Sequence, residues 1–170
     1  AHFPLPVKYE SRRRHIQRLL ILRAMSVTLI WLPLIESLIK LKFKPGTRLY
    51  LALDRTQWKN NNLFVLAIIF SKRAIPIYWQ FLEKKGGSNL AQQQALIRPL
   101  LRFLKNYEIV LIGDREFHSV ELAKWLKSKK LLFVLRQKKD TYLQLKGQPY
   151  QRLDSLEIVP GVKRYLTGLK

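Results

Sequence analysis

Two aspartates hold the positions from which chemistry is most readily done. Asp54 ends the apolar run Leu-Ala-Leu-Asp and Asp114 ends Leu-Ile-Gly-Asp. In a chain with only 11 acidic residues against 32 lysines and arginines, a carboxylate is kept near a phosphate-binding surface for a reason. Two carboxylates brought together repel unless a cation is shared between them. A hard divalent ion suits them: Mg²⁺, or Mn²⁺ in its place, takes one or two carboxylates plus phosphate oxygens, and such ions stabilise the attacking and leaving oxygens of an in-line phosphoryl transfer. Asp is also a common cap or turn residue after a strand, and strand-end carboxylates occur in many folds.

Other chemistries are excluded by composition. There is no cysteine, which removes disulfide frameworks, thiolate zinc sites and thiol nucleophiles. His2, His15 and His118 are too scattered for a histidine zinc site. A net charge of +21 exceeds what solubility requires and points to a polyanionic partner, nucleic acid before an anionic membrane. The 48% hydrophobic content rules out a disordered basic tail. The uncharged stretch from Ala24 to Ile35 is 12 residues long and holds Pro33, whereas a spanning helix needs about 20, so no membrane association and a cytoplasmic, nucleoid-associated location are expected.

The elements that must position the two acids follow from apolar patterning. Residues 1–47 read as helical, with Ile16, Leu19, Leu20, Met25, Val27 and Trp31 roughly on one face and a break at Pro33. Leu49–Leu53, Leu63–Phe70 and Ile75–Leu82 read as three strands of an antiparallel meander, linked by Arg55–Asn62 and Ser71–Ala74. A helix capped by Ser88 or Asn89 runs to about Asn106, and Pro99 is expected to kink or split it. A strand over Ile109–Ile112, a helix capped by Ser119 and a strand over Leu131–Leu135 complete a βββαβαβ order. A right-handed crossover can lay the fourth strand parallel to the first, on the edge that the hairpin leaves open. Asp54 and Asp114 would then be neighbours at the carboxyl ends of adjacent strands, at a topological switch point.

Leu-Ala-Leu-Asp-Arg-Thr-Gln-Trp at 51–58 and Ile-Gly-Asp-Arg-Glu-Phe-His-Ser at 112–119 resemble the first two acidic motifs of IS4-type DDE transposases. Tyr-Glu-Ser-Arg-Arg-Arg at 9–14 and Pro-Ile-Tyr-Trp at 76–79 are similar to segments of the same family. The resemblance implies an α/β, RNase H-like mixed sheet preceded by an N-terminal helical DNA-binding segment, residues 1–47, with the core at 48–137 and the start of a β-rich insertion at 138–170. It implies a DNA transposase, cleaving and joining strands at transposon ends, with Asp54 and Asp114 as ligands of Mg²⁺ or Mn²⁺. Its partners would be terminal inverted repeats and target DNA, bound by a homodimer. A third acid is also implied, a Glu within a Tyr-Arg-Glu-Lys-like motif on a later helix. No such motif occurs here, and Asp140, Asp154 and Glu157 read as solvated surface. The catalytic set is therefore expected to be incomplete in this chain, which leaves a non-catalytic DNA-binding remnant, or a related RNase H-like nuclease, as alternatives.

The DNA contacts are assigned to the densest basic cluster, Arg12, Arg13, Arg14 and Arg18, extended by Lys84, Lys85, Lys127, Lys129, Lys130, Lys138 and Lys139. Arg115 beside Asp114 could contact DNA or form an exposed pair with Glu116. Trp58 could stack on a base or pack against its own loop, and His118 could approach a metal at Asp114 or lie at the surface as a helix-start residue.

Overall fold

Strand alternation sets the framework. Leu49, Leu51 and Leu53 are buried while Tyr50 and Asp54 are exposed, so the first strand turns one face to the core and the other outward. The computed structural model describes residues 8–20, 26–58, 61–83 and 86–166, without the side chains of Leu19, Leu20 and Trp58. β1 (Arg48–Trp58), β2 (Asn61–Phe70) and β3 (Arg73–Leu82) form the antiparallel meander, and β4 (Glu108–Gly113) and β5 (Leu132–Leu135) join β1 in parallel. The sheet order is β3-β2-β1-β4-β5, the mixed α/β sheet that the RNase H-like reading requires. β1 is the strand at which antiparallel pairing gives way to parallel pairing.

The hairpin differs from the sequence reading. Arg55–Asn62 is not a loop: β1 continues through Asp54 to Trp58 and β2 begins at Asn61, with Asp54 opposite Val65 and Arg55 opposite Phe64. Polar residues continue the strand because ladder bonds to β2 satisfy their backbone whatever the side chains are. The turn from β2 to β3 is formed by Ser71 and Lys72, both at positive φ (48° and 65°), as a two-residue primed turn demands.

The helices bury one stripe each. α1 (Tyr9–Leu20) carries the arginine cluster, and Ile16 is exposed on it rather than part of a core face. A π-helical turn, Val27–Trp31, is capped by Ser26 and leads into α2 (Leu32–Lys42). Pro33 does not break this helix; it occupies the first turn, where its missing N–H costs nothing. Ile35 and Ile39 bury against the sheet, Trp31 meets Trp79 edge to face at 5.7 Å, and the Trp31 indole donates to the Pro76 carbonyl at 3.1 Å. The Pro-Ile-Tyr-Trp segment of β3 thus anchors the π-helical turn that leads into α2.

α3 (Leu90–Phe103) opens with a reciprocal capping box between Asn89 and Gln92 and continues through Pro99 as one helix. Leu96 and Ile97 before the proline and Leu100 and Leu104 after it are buried in the same core, which holds both halves in line. α4 (Val120–Ser128) is capped by Ser119 and buries Leu122 and Leu126. Beyond β5, β6 (Tyr142–Gln144) and β7 (Tyr150–Arg152) pair as a separate antiparallel ribbon. No helix among the described residues is long and apolar enough to cross a membrane.

Candidate active site

Parallel register brings the two aspartates into neighbouring positions. Ala52 lies beside Ile112 and Leu53 beside Gly113, so the next residues are Asp54 on β1 and Asp114 at the exit of β4. Asp54 lies inside β1 rather than at its end, since the strand runs four residues further. Asp114 leaves the sheet as the cap of a 3₁₀ turn, Arg115–Phe117, with Oδ1 accepting the Glu116 backbone N–H at 2.9 Å. Both aspartates are exposed, so a ligand has access to them.

Gly113 explains how β4 can deliver Asp114 so tightly. A Cβ there would meet Leu135 Cδ2 at 2.9 Å and Phe117 Cβ at 3.0 Å. Only hydrogen lets the 3₁₀ turn fold back against β5. Below it, Phe117 stacks on Phe64 of β2 with centroids 5.7 Å apart, both rings buried.

The polar neighbourhood is organised by Glu116 and Arg55. Arg55 Nε donates to both Glu116 carboxylate oxygens at 2.7 Å, and its guanidinium also reaches Asn62 Oδ1 at 3.2 Å. Ser88 donates to Glu116 Oε1 from its backbone N–H at 3.0 Å and from its hydroxyl at 3.2 Å. Glu116 is therefore committed to Arg55 across the sheet and not to its neighbour Arg115, which lies exposed beside Asp114. Sequence reading missed Arg55. A signal for it was present, because Arg55 shares the parity of Leu49, Leu51 and Leu53, and an arginine on the inward face needs a carboxylate.

The other candidates are dispersed. His118 is half-buried rather than a surface residue, and its Nδ1 is buried with no hydrogen-bond partner. Arg12, Arg13, Arg14 and Arg18 lie together on α1, where Arg13 pairs with Glu10 at 3.5 Å and Arg14 and Arg18 stand exposed one turn apart. Lys127, Lys129, Lys130, Lys138 and Lys139 are exposed; Lys84, Lys85 and the side chain of Trp58 lie outside the described residues.

As a donor set, two exposed carboxylates at adjacent register suit a hard divalent cation. Among the described residues, no group of three or more His, Cys, Asp or Glu side chains is gathered as a metal site. Asp154 is taken up by Arg152 at 2.6 Å, while Asp140 and Glu157 are exposed.

A family model described as "Transposase DDE domain" matches residues 52–167, a span that contains both aspartates. The catalytic core domain of HTLV-2 integrase, in complex with magnesium and in its dimeric form, is similar in structure at 14% identity and a TM-score of 0.38. The similarity covers 54% of this chain and 61% of that one. No curated protein sequence matches the chain.

Proposed function

The chain belongs to the transposase DDE domain family, and from that membership we propose that it is an IS4-type DNA transposase whose metal-dependent phosphoryl transfer is centred on Asp54 and Asp114. The observation that carries this reading is the parallel Leu53 to Gly113 register, which makes neighbours of two aspartates 60 residues apart in an acid-poor chain. Asp54 and Asp114 would hold Mg²⁺ or Mn²⁺, and such an ion would supply charge stabilisation to the attacking and leaving oxygens of the transfer. In this reading water and then a 3′-hydroxyl are the nucleophiles, cutting and then joining strands at transposon ends. The arginines of α1 bind phosphates without regard to sequence, and Arg115 and Trp58 contact DNA beside the acids. The chain acts on terminal inverted repeats and target DNA as a homodimer, at the nucleoid. Residues 1–47, 48–137 and 138–170 serve as DNA-binding segment, core and start of an insertion.

One observation favours a second reading, a DNA-binding remnant that does not cut: among the described residues no third acid joins the pair. A cleavage assay on supercoiled plasmid carrying candidate terminal repeats, with Mn²⁺ supplied, separates the two. Cutting that disappears in Asp54→Asn and in Asp114→Asn, while DNA binding persists, is the expected result. Binding with no cutting by the unaltered protein supports the remnant, and cutting that survives Asp54→Asn removes this site from the chemistry.

A further inference from the structure

Each candidate ligand is followed closely by a residue of one ion pair. Arg55 comes directly after Asp54 and Glu116 comes two residues after Asp114, and their side chains meet at 2.7 Å with 18% and 20% exposure. Strand period sends Asp54 and Arg55 to opposite faces of the sheet, so the pair closes behind the acids rather than among them. Glu116 is held from several directions. Its backbone N–H donates to Asp114 Oδ1, while its carboxylate accepts from Arg55 and from both donors of Ser88. Arg55 is steadied in turn by Asn62, whose amide donates to the Gly86 carbonyl at 3.0 Å. Beside this polar link an apolar one joins the neighbouring strand to the same turn, since Phe64 of β2, the register partner of Arg55, stacks on Phe117, the residue after Glu116.

We propose that Arg55 and Glu116 are positioning residues that lock the β1 segment bearing Asp54 to the turn bearing Asp114, fixing the separation and orientation of the two carboxylates before a divalent cation arrives. The proposal rests on the reading of Asp54 and Asp114 as the cation's ligands. A fixed ligand pair binds more tightly because the ordering has been done in folding, and partners that orient metal ligands typically influence affinity by about 10- to 100-fold. A plain electrostatic effect makes a different prediction for Arg55. Removing a cation near the site should tighten the binding of another cation, whereas removing a positioning residue should weaken it.

The test is Mn²⁺ affinity of the full chain, measured by water-proton relaxation without DNA, with thermal unfolding as the control for folding. Arg55→Gln and Glu116→Gln are each expected to weaken binding about tenfold, and Asp54→Asn to abolish it. Arg55→Lys retains the charge but loses the planar group that holds Glu116 through Nε and Asn62 through Nη1 at once, so it too should weaken binding; it decides the matter if Arg55→Gln fails to fold. Binding that depends on Asp54 but is unchanged or tighter in the folded Arg55 variants overturns the positioning role alone. Absence of any Asp54-dependent binding in the unaltered chain overturns the acid-pair reading, and the positioning role with it.

Discussion

A methyl group at Gly113 has nowhere to go. It would press on Leu135 Cδ2 at 2.9 Å and on Phe117 Cβ at 3.0 Å, and Phe117 is buried beside its own backbone and cannot swing aside. Gly113→Ala should therefore destabilise the chain by about 1 to 3 kcal/mol, the usual range for overpacking, read as a lower urea midpoint with an unchanged slope. The strain falls between β4 and the 3₁₀ turn, so the same variant should also move Asp114. Arg55 has the opposite character: it is an inward arginine tolerated because Glu116 and Asn62 satisfy it. Without such partners a charge at that depth would be costly.

At the scale of elements, the β2–β3 turn holds a correctable strain. Ser71 and Lys72 both adopt the left-handed region, which costs an L-residue with a Cβ roughly 1 to 2 kcal/mol. Glycine removes that cost but loses more freedom on folding, by about 0.5 to 1 kcal/mol. Lys72→Gly should thus stabilise the chain by about 0.5 to 1 kcal/mol in urea unfolding. Lys72→Ala, which keeps the Cβ, should show no gain; an equal gain for alanine would refute the turn strain. Across β1 and β4, Arg48 and Glu108 are register partners joined at 2.7 Å, and the guanidinium holds the Glu108 carboxyl below the usual range. This exposed pair marks the entry of the parallel ladder whose far end presents Asp54 and Asp114.

For the whole molecule, the excess of positive charge is the dominant fact, and its sharpest concentration lies on α1, outside the sheet. Replacing Arg12, Arg13 and Arg14 together with alanine should weaken DNA binding and lower the slope of log affinity against log salt by about 0.9 for each phosphate that is no longer neutralised. Asp54→Asn and Asp114→Asn should leave both quantities nearly unchanged, because carboxylates do not bind phosphates. An unaltered slope in the triple variant would place the phosphate-neutralising cations elsewhere on the basic surface.

The order of the elements and the prominence of the two aspartates are legible in the chain's local patterning. Apolar runs, the cap residues Asn89 and Ser119, and the scarcity of acids are local properties of the chain. Such patterning could not determine where β1 ends, since Arg55, Thr56 and Gln57 have no apolar pattern and extend the strand only because β2 pairs with them. Nor could it show that Pro99 leaves α3 continuous, which depends on Leu96 and Leu100 reaching one shared core. The partner of Glu116 was the least accessible feature. Its neighbour Arg115 is adjacent in sequence, whereas Arg55 is 61 residues away and becomes its partner only through the parallel crossover of β4 onto β1. Chain patterning records which faces are apolar, but which polar groups meet behind those faces is settled by tertiary pairing.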